Sequence, residues 1–222
     1  MTRVTLALVF TLLGYTFAFR PAAQASSQFW LGVSLPYLLL AAMALRDMWQ
    51  DGTLVEKLEP RWGDLSMGAL TAIVLLFASW AGRSLLAPAG TARQAWFWRI
   101  YLQLGNPEHL QHSIGFTCLI LLVAAAEEIV WRGMVLSDLQ ARFGKRAGTP
   151  LSVLLYGLSL TPTLWMLRDP LAGPNPLLVT AALGCGLVWS FLSAQVGRLV
   201  PAIVSHMAFT YFSIVQFRWP GM

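Results

Sequence analysis

Long apolar stretches follow one another along this chain and predict a bundle of membrane-spanning helices. Charged residues, proline or glycine separate the stretches, which cover residues 4–19, 30–45, 66–86, 113–137, 150–167, 177–195 and 199–217. A helix of about 20 apolar residues crosses the hydrocarbon core of a bilayer. The pattern therefore predicts an all-α fold, a polytopic transmembrane helix bundle with about seven spans, in a range of about six to eight.

Residues 1–90 are predicted to form generic N-terminal transmembrane helices. The first stretch allows a second interpretation, because Arg20 and then Ala23-Gln24-Ala25, which resembles a signal-peptidase site, follow it. A cleaved signal peptide is therefore an alternative. A first spanning helix is favoured, because everything downstream is also membrane-spanning in character.

Two polar segments interrupt the apolar pattern. The connection 46–65 holds five of the ten acidic residues beside three basic ones, and it is predicted to be solvated. In segment 91–112 aromatic side chains alternate with basic ones and histidines, which favours a helix in the membrane interface. An ordinary loop with aromatic anchors is the alternative. Residues 113–222 are then predicted to form the functional core.

Composition and charge narrow the class of protein. Hydrophobic residues make up 57% of the chain and charged residues 11%, whereas soluble proteins carry about 25% charged residues. A soluble enzyme and a disordered chain are excluded. The net charge of +5 is scattered, so the expected partner is membrane lipid rather than nucleic acid. A slight excess of basic residues on the N-terminal side of the membrane predicts a cytoplasmic N-terminus.

Cys118 and Cys185 lie in apolar runs and are predicted to be free and buried.

Two adjacent acids lie within the stretch 113–137. Residues 114–126 are uncharged, Glu127 and Glu128 follow, and Arg132 comes four residues after Glu128. A carboxylate at membrane depth costs several kcal/mol, so such a pair suggests a function. The alternative is a helix that ends near residue 127 with both acids in solvent. Apolar residues that continue beyond the pair favour the buried site.

The spacing predicts different surroundings for the two acids. On a helix, Glu128 and Arg132 share one face and can form an ion pair, which gives Glu128 a structural role. Glu127 is rotated by about 100° from Glu128. Unpaired and desolvated, Glu127 is expected to take a proton from water.

A second polar pair lies in the last apolar stretch. Of the three histidines, His206 alone lies within a predicted span. Thr210 follows one helical turn later on the same face. Taken alone, such a histidine fits a helix-packing donor as well as a catalytic group. The acid pair in the same small bundle favours catalysis.

Three motifs together resemble a known family. They are Glu-Glu-x-x-x-Arg-Gly at 127–133, an aromatic-Gly-Leu sequence at 156–158, and Leu-Val-Pro-Ala-Ile-Val-Ser-His at 199–206. The sequence is similar over about residues 112–217 to the CAAX-protease and bacteriocin-processing family of glutamic intramembrane endopeptidases. The resemblance implies that Glu127 activates water, that Glu128 and Arg132 support it, and that His206 and Thr210 stabilise the oxyanion.

Two positions depart from the family pattern. The family has a histidine four residues after the aromatic residue of the second motif, where it shares the catalytic water, but Tyr156 is followed by Leu160. The residue four after the last histidine is usually Asn or Asp, and here it is Thr210. Thr210 keeps a hydroxyl donor, whereas Leu160 has no polar atom. Tyr156 and Leu160 are assigned to the water or substrate pocket.

The resemblance implies an endopeptidase of the bacterial inner (plasma) membrane. Its expected substrate is a membrane-proximal peptide segment: a prenylated CAAX-like C-terminus, a leader peptide or a C-terminal sorting signal. Leu160 favours the alternative of a catalytically impaired scaffold or peptide-binding protein. A transporter or channel is a third alternative, although the sequence has no inverted repeat or paired broken helices. No metal or other cofactor is expected, because Arg132 already supplies positive charge beside the carboxylates.

Overall fold

Helices account for the fold throughout the described part of the chain. The computed structural model covers residues 2–216, apart from the side chains at positions 107 and 216. The α-helices are α1 (Thr2–Ala18), α2 (Ser27–Gln50), α3 (Leu54–Leu58), α4 (Asp64–Leu86), α5 (Ala95–Leu104), α6 (Pro107–His112), α7 (Ile114–Glu128), α8 (Leu136–Ser159), α9 (Pro162–Met166), α10 (Leu177–Val196) and α11 (Val200–Tyr211). Two π-helical segments, Ile129–Val135 and Phe212–Gln216, continue α7 and α11. Residues 2–216 contain no β-strand, so the predicted all-α fold class is confirmed.

Four helical stretches within residues 2–216 are long and apolar enough to cross a membrane. They are α2, α4, the run Ile114–Met166 and α10, while α1 and Val200–Val215 are shorter apolar helices. The run Ile114–Met166 is interrupted at Gly144, where φ is 74°, and by the turn at 160–161. Only 17% of the most apolar part of α4 is buried, and large apolar side chains such as Phe77 and Trp80 are exposed on it. Lipid must cover such a surface, and the protein is therefore an integral membrane protein.

The predicted count of about seven spans stays a prediction. So does the division of the chain at residues 90 and 112. Residue 217 of the last predicted span and residues 217–222 of the predicted core lie outside the described part of the chain.

A turn interrupts the helix within the predicted span 150–167. Helix α8 ends at Ser159, Leu160 and Thr161 form a turn, and Pro162 begins α9. Proline suits the first turn of a helix but breaks a helix interior, because it has no N–H and its ring clashes with the preceding turn. Leu160 therefore lies in the turn between α8 and α9.

Segment 91–112 is hydrogen-bonded to α1 and to the π-helical segment that follows α11. It forms a short 3-10 turn followed by α5 and α6. Gln103 Nε2 donates to the carbonyl of Ala18 over 2.7 Å, and Tyr101 Oη donates to the carbonyl of Ser213 over 3.0 Å. The bond to Ala18 satisfies a carbonyl group that α1 leaves unpaired at its C-terminus. A location of this segment in the membrane interface stays a prediction.

The prediction of a solvated connection at 46–65 is wrong for two of its charged residues. Lys57 Nζ donates to Ser137 Oγ over 2.8 Å, and burial lowers the pKa of Lys57. Asp64 is 1% exposed and forms an ion pair with Arg198. Ser137 lies in the first turn of α8, and Arg198 lies just before α11. The connection is therefore bonded to the starts of two helices that carry the candidate site.

The cysteines differ in burial. Both thiols are free, as the sequence predicts, but only Cys185 is buried, whereas Cys118 on α7 is exposed. The prediction of a buried Cys118 is wrong because an apolar run in a membrane helix includes its outer face as well as its packed face.

Candidate active site

A π-helical segment follows the two adjacent glutamates. Helix α7 ends at Glu128, and residues Ile129–Val135 wind with the wider π-helical turn before α8 begins. Such segments are rare and frequently lie at functional sites. Val130 and Trp131 within it are 0% and 1% exposed. The alternative in which the helix ends near residue 127 with both acids in solvent is therefore wrong.

Glu128 is the centre of a buried charge cluster. Arg132 Nη1 donates to Glu128 Oε1 over 3.0 Å, which is the pairing that their spacing predicts. His206 Nδ1 lies 2.7 Å from the same oxygen. The side chains of Glu128 and Arg132 are 0% and 1% exposed. Two partners thus compensate for the burial of one carboxylate. One of them, His206, connects α11 to the end of α7.

Helix α10 forms another wall of the charge cluster. Arg132 Nη2 donates to the carbonyl of Gly186 over 3.2 Å. The Trp189 ring stacks on His206, with ring centroids 3.9 Å apart and an interplanar angle of 18°. Trp189 Nε1 also donates to Ser205 Oγ over 3.0 Å. The imidazole of His206 is therefore fixed by Glu128 at one edge and by an indole on one face.

Glu127 has different surroundings from Glu128. It is half-buried, and its Oε2 accepts a hydrogen bond from Tyr156 Oη over 3.0 Å. Tyr156 is a neutral partner on the second half of α8, so it does not contradict the prediction of a Glu127 without an ion-pair partner. Two neighbouring acids therefore face different parts of one site, one sealed and one accessible.

Two other predicted positions contribute no hydrogen bond to the acid pair. Thr210 is half-buried one turn after His206, and its hydroxyl has no hydrogen-bond partner within residues 2–216. Leu160 is 8% exposed and belongs to the same apolar core cluster as Tyr156. A direct contact between the Leu160 side chain and Glu127 stays a prediction.

Sequence reasoning did not assign three aromatic residues that lie beside the site. Trp189 stacks on His206, and Trp131 Nε1 donates to Tyr37 Oη over 3.2 Å. Trp and Tyr usually gather at the two membrane interfaces, where the polar tip of the ring meets water. All three lie well inside helical stretches, and this mid-span placement is the signal that could have identified them.

Residues 110–212 match the model of a known protein family. Its description is type II CAAX prenyl endopeptidase Rce1-like. The match confirms the resemblance predicted from the motifs and covers slightly less than half of the 222 residues. No curated protein and no solved structure matches the chain.

The Rce1-like segment contains both acids, Arg132, Tyr156 and His206. It does not contain Tyr37, which lies on α2. Helices α1 and α2 nevertheless pack against the π-helical segment that follows the acids. The surroundings of the site therefore extend beyond the matched segment.

Proposed function

We propose that the protein is an intramembrane endopeptidase in which Glu127 activates a water molecule. The observation that carries the proposal is the unequal surroundings of the two adjacent acids. Glu128 is fully buried between Arg132 and His206, whereas Glu127 stays half-buried with one hydroxyl partner, Tyr156. A general base must be reachable by the proton that it accepts, and Glu127 meets this requirement where Glu128 does not.

The reaction that fits this arrangement is hydrolysis of a peptide bond. Glu127 takes one proton from water while the water oxygen bonds to the carbonyl carbon of the substrate. The carbonyl electrons move onto its oxygen and form a tetrahedral oxyanion. When this intermediate collapses, the C–N bond breaks and Glu127 returns the proton to the leaving amine. One water is consumed, and a carboxyl group and an amine are formed.

His206 is proposed to stabilise the oxyanion. Glu128 holds the Nδ1 edge of the ring and Trp189 covers one face, so the remaining Nε2 edge has a fixed direction. With both ring nitrogens protonated, Nε2–H can donate to the developing negative charge. The hydroxyl of Thr210, one turn along α11, is the proposed second donor.

The proposed substrate is a peptide segment close to the membrane. The Rce1-like match supports a peptide or lipidated protein as the substrate class. Within it, a prenylated CAAX-like C-terminus, a leader peptide and a C-terminal sorting signal are the three proposed types. The bacterial inner membrane and a cytoplasmic N-terminus are part of the same proposal.

Leu160 supports a second candidate function, a scaffold that binds such a peptide without cleaving it. Its side chain is buried in the apolar core beside Tyr156 and has no polar atom that could hold a water. Glu127 would then have to orient the water with the help of Tyr156 alone. A pocket that keeps its peptide-binding surface but orients water poorly would retain affinity and lose turnover.

The test is cleavage of three peptides by the protein reconstituted in liposomes. The peptides are a farnesylated CAAX peptide, a double-glycine leader and a C-terminal sorting signal, with products identified by mass spectrometry. We expect cleavage of one class and its loss by about 10²–10⁴-fold in Glu127→Gln, since general-base catalysis contributes on this scale. Glu108→Gln makes the same chemical change at an exposed position on α6 and should leave cleavage unchanged.

Two results would contradict the endopeptidase proposal. Wild-type cleavage rates in Glu127→Gln would exclude this carboxylate as the base. Tight binding of a peptide to the wild-type protein, without cleavage of any of the three classes, would establish the scaffold instead.

A further inference from the structure

A network of buried polar groups joins the N-terminal helices to the π-helical segment. Tyr15 Oη on α1 and Tyr37 Oη on α2 lie 2.9 Å apart, and Trp131 Nε1 donates to Tyr37 Oη over 3.2 Å. The three side chains are 6%, 1% and 1% exposed. Leaving a buried hydroxyl or indole N–H unpaired is costly. These bonds therefore fix the indole of Trp131 relative to α1 and α2.

Trp131 transmits this restraint towards the candidate base. Its ring packs against the Tyr156 ring, with centroids 5.2 Å apart and an interplanar angle of 54°. Tyr156 Oη donates to Glu127 Oε2 over 3.0 Å. A single ring contact thus separates the Tyr37–Trp131 bond from the Tyr156–Glu127 bond.

We propose that Tyr37 is a positioning residue for Glu127. It holds Trp131, and through Trp131 it holds Tyr156, so that the Glu127 carboxylate keeps the orientation in which it accepts a proton. This inference rests on the proposed function. Because Tyr37 lies outside the matched segment 110–212, it makes α1 and α2 part of the catalytic unit.

Tyr37→Phe tests the proposal, because it removes the hydroxyl that accepts from Trp131 and preserves the ring. We expect kcat to fall about 3- to 10-fold, the effect of one lost hydrogen bond, with KM changed less than about twofold. Tyr15→Phe should have a smaller effect, because Tyr37 still accepts from Trp131. Tyr101→Phe is the matched control, since its hydroxyl bonds to the Ser213 carbonyl and to neither acid.

The pH dependence of kcat separates positioning from a general loss of folded protein. Fewer folded molecules lower the height of the profile, whereas a misplaced Glu127 moves its acidic limb. Tyr37→Phe changes no charge at neutral pH, so a moved limb reports altered geometry. The charged and titratable groups around Glu127 are His206, Glu128, Arg132, Tyr156, Tyr37 and Tyr15.

Infrared difference spectroscopy gives a readout that does not require turnover. The carboxyl band of Glu127 is assigned by its loss in Glu127→Gln. We expect Tyr37→Phe to shift this band and Tyr101→Phe to leave it in place. If the wild-type protein cleaves no peptide, the proposed function fails, and the band still decides whether Tyr37 positions Glu127.

One result would overturn the inference: a folded Tyr37→Phe protein with wild-type kcat, acidic limb and carboxyl band. If Tyr37→Phe does not fold, Trp131→Phe removes the same hydrogen bond from its donor side. The same kinetic and infrared shifts are then expected, and their absence in folded Trp131→Phe would equally overturn the inference.

Discussion

Replacing Arg132 by alanine should destabilise the protein strongly, because it leaves a buried carboxylate with one partner fewer. Glu128 is 0% exposed, and its Oε1 is shared between Arg132 and His206. Removing one member of a buried ion pair typically costs about 3–5 kcal/mol. Since His206 Nδ1 remains 2.7 Å from Glu128 Oε1, we expect a loss of about 3 kcal/mol, at the lower end of this range.

The measurement is the free energy of unfolding in mixed detergent micelles, followed by circular dichroism during titration with a denaturing detergent. Arg3→Ala is the matched control, because Arg3 pairs with Asp47 over 3.2 Å but is 46% exposed. Exposed ion pairs contribute about 0–1 kcal/mol. Arg3→Ala should therefore unfold almost like the wild-type protein.

A double variant tests the physical reason. Glu128 Oε2 and Arg132 Nε are buried without a hydrogen-bond partner within residues 2–216, so the pair is incompletely satisfied. In Glu128→Gln with Arg132→Met the two charges of the Glu128–Arg132 pair are removed together, and the amide keeps an acceptor for His206. We expect this variant to be more stable than Arg132→Ala. Arg132→Ala within about 1 kcal/mol of Arg3→Ala would refute the reasoning.

Three further predictions follow from individual contacts. Leu160→His should raise the rate of peptide cleavage by no more than about 10²–10⁴-fold, which is what acid–base groups contribute. Adding Glu127→Gln to Leu160→His should abolish cleavage. An unchanged cleavage rate in Leu160→His would show that position 160 does not hold the water. Gly68→Ala should lower the free energy of unfolding, because a Cβ at this position would lie 2.7 Å from the Val204 side chain. Gly82→Ala is the control and should not lower it, because a Cβ there would have nothing within 4 Å. Equal detergent-unfolding midpoints for the two variants would contradict this prediction. Backbone N–H donors in the turn after α9 lower the pKa of Asp169 below 3.8, so its stabilising effect is present above that pH and is lost as the pH falls through the lowered pKa. Asp169→Asn should therefore reduce stability at neutral pH and approach wild-type stability in acid, and a pH-independent difference in melting temperature would disprove the linkage.

The sequence by itself determined the helical class and the location of the acid pair. Apolar stretches long enough to span a bilayer can satisfy their backbone only as helices there, so local pattern suffices. The pairing of Glu128 with Arg132 was equally predictable, because residues four apart share a helix face whatever surrounds them. The end of α8 at Ser159 was harder to predict, because Pro162 begins α9 whereas Pro36 lies inside α2 without ending it.

Only the tertiary structure decided which partners these residues meet across the bundle. His206 lies 78 positions from Glu128 in sequence and Tyr156 lies 29 positions from Glu127, yet both pairs are hydrogen-bonded. Helical periodicity gives the direction of a side chain on its own helix but not which helix packs against that face. The contact of Tyr37 with Trp131, 94 positions apart, has the same origin. The division between a sealed Glu128 and an accessible Glu127 therefore arises from packing, because burial belongs to the assembled bundle and not to any one of its helices.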